Sequence, residues 1–312
     1  MPVKHFPYAL PTFGDTLFPS SVNPHADEVE DHARAWLESH QLLAEPRVRE
    51  RFHKTRLGDS LGFCYPEASL EVLTCAGELL SWITVFDDTF AYVTASADVA
   101  RAIPELIGAI EGAPAREETG FAAALGSSLA SIRRTVDPVH ADRIVQALRT
   151  DLLAQYWELG ANRNAVSLDE YLAVRPRTVY ATVLESFAEP AGNWHLTDRV
   201  RRLPDVHRVI TAALNLLGMC NDLVSYPWEI AMGETELCSL VPLLMHDRGY
   251  GTADAFIEAS RLCDQQARDA HDALARIESG DNPELHRFAR TMRLLIGGIS
   301  ACENAATERF AL

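Results

Sequence analysis

Residues 209–229 read VITAALNLLGMCNDLVSYPWE, an apolar run that ends in polar residues. A helix that is apolar on nearly every face belongs in a protein core, so polar side chains within it need a reason. Asn221, Ser225 and Glu229 are four residues apart and drift by only about 40° around the axis, so they share one face. Their amide, hydroxyl and carboxylate oxygens suit magnesium. This motif alone fits either a metal site or an ordinary solvent-facing surface.

A second apolar segment, LEVLTCAGELLSWITVFDDTFAY at residues 70–92, also contains acidic residues after a long apolar run. Asp87 and Asp88 are adjacent there, and two neighbouring carboxylates repel each other unless a cation neutralises them. Magnesium typically binds one or two carboxylates together with substrate phosphates. A solvated helix end is the simpler interpretation of this pair by itself, and the occurrence of two such polar ends on core helices favours the metal site.

The remaining chain predicts helices separated by short breakers, without strand alternation. Helices are expected at 24–42, 67–92, 139–160, 168–188, 204–232, 252–279 and 284–309, with a loop at 112–120. No repeat or low-complexity tract divides the sequence. We therefore expect one all-α domain spanning residues 1–312, with two central hydrophobic helices.

Composition and charge limit the function. The 47% hydrophobic content allows a large core, and the formal net charge of -16 argues against nucleic-acid binding. We find no signal-peptide pattern and no apolar stretch of the roughly 20 charge-free residues that would span a membrane. The six cysteines contain no C-x-x-C pair, which indicates neither a disulfide framework nor a cysteine zinc site. A cytoplasmic protein is expected.

Several motifs together resemble the bacterial class I terpene synthases. Asp87-Asp88 after SWITVF resembles the aspartate-rich motif of that family, and the Asn221, Ser225 and Glu229 triplet matches its second metal motif. The segment EYLAVR at 170–175 resembles the one that ends in the diphosphate-sensing arginine. The segment VNPHADEVEDHARAWL resembles the first helix, and RLLIGGISACENAATERF resembles the last, so the resemblance covers nearly the whole chain.

The sequence departs from the family pattern in both metal motifs. The third acid that normally follows the aspartate pair is missing, so metal binding on this side depends mainly on Asp87. The position before Glu229, often lysine in the family, is Trp228.

Further departures lie around the diphosphate-binding arginines. The Arg-Tyr pair of the last helix is Arg309-Phe310 here, which loses a hydroxyl donor. Pro176 separates Arg175 from Arg177, so either arginine could sense the diphosphate, and spacing favours Arg175.

The resemblance implies a class I terpenoid synthase helical bundle with a central active-site cavity. It implies three Mg²⁺ ions and a prenyl diphosphate that is ionised and cyclised with release of diphosphate, farnesyl diphosphate being favoured. The metal ligands would be Asp87, Asp88, Asn221, Ser225 and Glu229. Arg175, Arg177 and Arg309 would bind the diphosphate, and Phe310, beside Arg309, would be a further substrate-binding residue without a hydroxyl donor. Residues expected to shape the hydrocarbon pocket are Tyr180, Leu80, Ile83, Thr84, Phe86 and Phe187. A monomer or homodimer is expected.

Other functions stay open at this point. A diterpene synthase acting on geranylgeranyl diphosphate is one, because motif spacing does not encode cavity volume. A non-catalytic helical isoprenoid-binding protein with a degenerate metal site is another, because of the missing acid and the changes at Trp228 and Phe310. A prenyl-chain-elongating synthase is disfavoured, since it would need a second aspartate-rich motif where this chain has Asn221, Ser225 and Glu229.

Overall fold

The computed structural model describes residues 8, 10–92, 96–160, 166–231, 233 and 238–306. Within these ranges the chain is helical and contains no strand, which confirms the all-α prediction. The helices are α1 (Phe13–Thr16), α2 (Ala26–Ser39), α3 (Pro46–Thr55), α4 (Leu57–Cys64), α5 (Leu70–Tyr92), α6 (Ser96–Ile110), α7 (Phe121–Thr135), α8 (Pro138–Gly160), α9 (Leu168–Thr178), α10 (Ala181–Ser186), α11 (Ala188–Gly192), α12 (Asp198–Arg201), α13 (Pro204–Ala231), α14 (Leu240–Arg248), α15 (Thr252–Glu278) and α16 (Pro283–Ala306).

Helix α13 forms the centre of one side of the bundle. It packs most extensively on α15 and also contacts α16, α10 and α9. By length and composition α13 is apolar enough to cross a membrane, but 78% of its apolar 18-residue segment is buried inside the protein. The burial explains the apolar sequence, because a helix surrounded by other helices is hydrophobic on most faces.

Helix α5 forms the centre of the other side. It packs against α2, α7, α4 and α3. Trp82 and Phe86 stack at 5.0 Å on the face toward α7, where both rings meet Phe121 edge-on. In the described part of the chain, α5 and α13 make few direct contacts with each other.

The prediction of one continuous helix at 168–188 is wrong. Ser167 and Glu170 form a capping box that starts α9, which ends at Thr178, and a new helix starts at Ala181. Pro176 lies inside α9 and cannot donate a backbone hydrogen bond. Tyr180 then adopts a left-handed conformation with φ of 55°, which redirects the chain. The break leaves Arg175 in the last turn of α9 and Tyr180 at the turn before α10, and both helices pack on α13.

Candidate active site

The aspartate pair lies within α5, one turn before its end. Asp88 is completely buried, and its Oδ1 accepts a hydrogen bond of 2.9 Å from Arg51 Nε. Asp87, the next residue on the helix, is partly exposed. The two carboxylates therefore have different environments: Asp88 is buried and paired with a cation of the protein, whereas Asp87 is partly exposed.

Arg51 connects the two metal motifs. It extends from α3, and its guanidinium lies 4.2 Å from the ring centroid of Trp228 on α13 while it binds Asp88 on α5. Such stacking of a guanidinium on an indole is favourable. Sequence reasoning missed Arg51, because it lies in a basic surface-type helix 37 positions before Asp88 and nothing local marks it. The contact shows that the polar ends of α5 and α13 face each other.

The second motif occupies one face of α13, as its spacing predicted. Asn221 and Glu229 are partly exposed, whereas Ser225 is only 2% exposed. The Ser225 Oγ has no hydrogen-bond partner among the described residues. A buried hydroxyl without a partner costs free energy, so this atom is suited to an external ligand. The combination of amide, hydroxyl and carboxylate oxygens on this face fits magnesium, which prefers hard oxygen ligands.

Arg175 lies beside the start of this face. Its Nη2 donates to Asn221 Oδ1 at 3.1 Å and its Nε donates to Asp222 Oδ1 at 2.8 Å. A third hydrogen bond, at 3.3 Å, joins Nη1 to Thr178 Oγ1. The guanidinium thus contacts an atom that the second metal motif offers as a ligand. Arg177 instead donates to the carbonyl oxygen of Ala173 in its own helix.

Asp222 holds Arg175 in place and was missed by the sequence analysis. Its side chain is 1% exposed and also accepts hydrogen bonds from Tyr171 Oη at 2.6 Å and from the backbone N–H of Leu240 at 2.7 Å. The sequence did contain an indication of this role. Asp222 lies between Asn221 and apolar residues of a core helix, and a buried carboxylate there requires a hydrogen-bond partner. Asp222 therefore links α9, α13 and the start of α14 around the arginine.

Gly218 allows Arg175 to cross α13 one turn before Asn221. A Cβ atom at this position would lie 2.9 Å from Arg175 Cγ and 3.6 Å from Val179 Cγ1. The first distance is too short, so the arginine would have to move.

We therefore expect Gly218→Ala to lower turnover about 10–100-fold, because a displacement of about 1 Å in a positioning group has effects of that size. Steady-state kinetics on the purified variant would measure this. Gly126→Ala is the matched control, since no atom lies within 4 Å of a Cβ built there. Unchanged turnover in both variants would mean that the position of Arg175 does not matter.

The predicted pocket residues on α5 divide into two groups. Leu80, Ile83 and Thr84 lie on the same face of α5 as Asp87; Thr84 is partly exposed, whereas Leu80 and Ile83 are buried. Phe86 is turned about 100° away from Asp87 and packs with Trp82 in the core between α5 and α7.

Tyr180 lies at the break between α9 and α10, Phe187 lies between α10 and α11, and both side chains are buried. Arg309 and Phe310 lie outside the described residues.

Asp151 of α8 supports the break beside Tyr180. Its Oδ1 accepts from Thr182 Oγ1 at 2.5 Å and its Oδ2 from the backbone N–H of Val183 at 3.3 Å, which anchors the first turn of α10. Burial raises the pKa of the Asp151 carboxyl from 3.8 to about 8, against the smaller opposing effect of these hydrogen bonds. The folded protein therefore keeps a proton that the unfolded chain releases.

Stability should consequently fall as the pH rises from about 4 to about 8, by up to about 1.4 kcal/mol per pH unit from this group. Asp151→Asn removes the ionisation and should flatten the profile over the same range. Urea unfolding of the two proteins between about pH 5 and pH 8 measures the difference. If the free energy of unfolding changed with pH in the same way in both proteins, Asp151 would already be ionised in the folded state.

Hard oxygen donors on α5 and α13, with an arginine beside the polar face of α13, are typical of a helical protein that binds a metal ion and an anion. The family model "Terpene synthase family 2, C-terminal metal binding" matches residues 78–269. Labda-7,13(16),14-triene synthase of Streptomyces clavuligerus is 31% identical over 90% of this chain and 83% of its own length. The chain belongs to the terpene synthase family.

Two further comparisons agree with this assignment. The 4-epi-cubebol synthase of Streptosporangium roseum, named as cyclising (2E,6E)-farnesyl diphosphate, is 26% identical over 90% of this chain and 86% of its own length. The structure of 2-methylisoborneol synthase from Streptomyces coelicolor A3(2), in complex with Mg²⁺ and 2-fluoroneryl diphosphate, has a TM-score of 0.80 and 21% identity. It covers 97% of this chain and 99% of the other.

The predicted reaction class is confirmed. As a terpene synthase the protein is a lyase that cyclises a prenyl diphosphate and binds a divalent metal.

Proposed function

We propose that the protein binds the diphosphate group of its substrate between Asp87 on α5 and the polar face of α13, in a reaction that depends on magnesium. The observation that carries this proposal is the position of Arg175, which contacts Asn221 Oδ1 and is held by Asp222. An arginine placed against a metal-ligand face can add charge-assisted hydrogen bonds to a phosphate group.

The ligand roles follow from the donor atoms. Asp87 would hold magnesium on one side, with Asn221, Ser225 and Glu229 on the other, and the family resemblance implies three ions. When bound, the ions supply Lewis acidity at the leaving oxygens of the diphosphate. Asp88 is engaged by Arg51, so we assign it the role of orienting the end of α5 relative to α13.

Substrate binding would require Arg175 to change partners. In the present arrangement its Nη2 occupies Asn221 Oδ1, an atom that the metal also needs. A bound diphosphate offers Arg175 a stronger acceptor, because hydrogen bonds between charged groups are about twice as strong as neutral ones. Asp222 would keep the guanidinium beside the site during this exchange. Arg309 and Phe310 remain proposed contacts on the last helix.

The hydrocarbon part of the substrate would lie against the face of α5 that carries Leu80, Ile83 and Thr84, and near Tyr180 and Phe187. An apolar lining excludes water, which would otherwise capture a carbocation. Aromatic rings can stabilise a cation without acting as nucleophiles. Because Phe86 packs with Trp82 and Phe121, we assign it to the wall behind this face.

For the substrate, each of two candidates has support. The name of the 26% identical relative states that it cyclises farnesyl diphosphate, the substrate expected from the sequence. Labdatriene synthases, whose products have a diterpene skeleton, are more similar, at 31% and 32% identity. The higher identity favours a diterpene precursor, with farnesyl diphosphate second. A cytoplasmic monomer or homodimer completes the proposal.

The test is to incubate the purified protein with geranyl, farnesyl and geranylgeranyl diphosphates and a bicyclic labdadienyl diphosphate, with magnesium or with excess chelator. Gas chromatography and mass spectrometry then identify the extracted products. We expect a magnesium-dependent terpene from one diterpene precursor. A product from farnesyl diphosphate alone would select the second candidate. Failure of a folded, magnesium-supplied protein on all four substrates would favour the non-catalytic isoprenoid-binding alternative.

A further inference from the structure

Two histidines and a glutamate meet at the start of α8. His140 lies in the first turn of that helix, Glu189 is on α11, and His195 follows α11. Glu189 Oε2 is 3.3 Å from His140 Nε2 and 3.4 Å from His195 Nδ1, and all three atoms lie within 4.8 Å of one another. Side chains from three separate segments therefore converge on one point.

The distances are longer than hydrogen bonds between these groups should be. N–H···O contacts have a preferred length of about 2.9–3.0 Å. Glu189 Oε2 has no hydrogen-bond partner among the described residues, although its side chain is only 1% exposed. By contrast, two ligands bound tetrahedrally to one zinc ion at about 2.0–2.2 Å lie about 3.3–3.5 Å apart. Both observed separations, 3.3 and 3.4 Å, match the spacing of two ligands on one zinc ion.

The other oxygen of the same carboxylate is already satisfied. Glu189 Oε1 accepts hydrogen bonds from Arg143 and from Arg201, the latter at 2.6 Å. Arg201 also binds Glu185, and Arg143 also binds Asp198. The two arginines and three carboxylates leave one net negative charge when the histidines are neutral. A dication is therefore not repelled, and the arginines fix the orientation of Glu189 as outer-sphere partners do.

We propose that His140, Glu189 and His195 bind a transition-metal dication such as Zn²⁺. Two imidazoles and one carboxylate suit zinc-type metals, whereas magnesium prefers all-oxygen ligands. The His195 side chain is 43% exposed, so solvent can reach the site and water can supply a fourth ligand. The two histidine nitrogens lie within 4.8 Å of each other, and rotation of the half-exposed His195 ring would bring them to ligand spacing.

The site is distinct from the diphosphate site. Gln155, at the other end of α8, donates to the carbonyl oxygen of Thr178 beside Arg175. The 15 residues between His140 and Gln155 correspond to about 22 Å of helix. A metal at the far end of α8 would connect α8, α11 and the segment before α12, and its role would be to stabilise that end of the bundle.

Cobalt is the probe for this site. Metal-free protein is titrated with Co²⁺ in excess Mg²⁺, which occupies the oxygen-ligand site, and visible absorption is recorded. Tetrahedral Co²⁺ with nitrogen ligands absorbs much more strongly than octahedral Co²⁺ with oxygen ligands. We expect one strongly absorbing Co²⁺ per chain, displaced by Zn²⁺, and a Tm that rises with Zn²⁺ concentration.

His195→Ala should weaken Co²⁺ binding by more than the roughly 10–100-fold that loss of an outer-sphere partner causes. Because the ring is half-exposed, this variant should fold, which circular dichroism checks. His246→Ala is the matched control, since His246 is an exposed histidine of α14 that contacts a neighbouring carboxylate, Asp247. Absence of the absorption in the wild type, or equal titrations of wild type and His195→Ala, would overturn the proposal. Magnesium-dependent turnover is measured separately and should be the same in all three proteins.

Discussion

Ser225→Ala should lower turnover about 10²–10³-fold without lowering the free energy of unfolding. The hydroxyl is buried and has no hydrogen-bond partner among the described residues, so the fold does not depend on it. Its removal relieves the cost of a buried polar group. Loss of a metal ligand, however, removes several kcal/mol of transition-state stabilisation, and each 1.4 kcal/mol is a factor of ten in rate.

Ser128→Ala provides the control for this prediction. Ser128 Oγ is also buried without a hydrogen-bond partner in the described structure, but it lies on α7, which carries neither metal motif. We expect similar stability changes in the two variants and a turnover loss only at Ser225. Kinetics at saturating substrate over a range of magnesium concentrations, together with urea unfolding, separate the effects. Full turnover of Ser225→Ala would exclude that hydroxyl as a ligand.

Asp222→Ala should destabilise the protein by about 3–5 kcal/mol, the cost of removing one partner from a buried ion pair. Three groups lose their acceptor at once: the guanidinium of Arg175, the hydroxyl of Tyr171 and the backbone N–H of Leu240. Turnover should fall as well, because Arg175 is no longer held beside Asn221. Urea unfolding monitored by circular dichroism gives the first quantity and steady-state kinetics the second.

Asp205→Ala is the comparison on the same helix. Asp205 pairs with Arg276 and Arg208 at the surface, where ion pairs contribute about 0–1 kcal/mol. If Asp222→Ala were no more destabilising than Asp205→Ala, the buried network around Arg175 would not be a structural element of the site.

The sequence predicted the two central helices well because their apolar runs are long. The predicted helices at 67–92 and 204–232 correspond to α5 and α13, with ends that differ by a few residues. It did not predict α1, α3, α4, α6, α7, α11, α12 or α14, or the division of α9 from α10. The last of these depends on Tyr180 in a left-handed conformation, which tertiary packing must stabilise and which periodicity does not reveal.

The residues of the candidate site were also only partly predictable from the sequence. The Asn221, Ser225 and Glu229 face follows from helical spacing alone, since four-residue steps return to one side of a helix. Arg51 and Gly218 act through contacts with distant residues, Asp88 and Trp228 for the first and Arg175 for the second. Such contacts are set by how helices cross, which the spacing of residues within one helix does not specify.

A crystal structure of the protein with Mg²⁺ and inorganic diphosphate tests the central claim most directly. We expect magnesium between Asp87 and the diphosphate on one side, and magnesium bound by Asn221, Ser225 and Glu229 on the other. Arg175 should have left Asn221 Oδ1 and should donate to a diphosphate oxygen. A diphosphate bound elsewhere, or magnesium that contacts none of the three α13 side chains, would contradict the account.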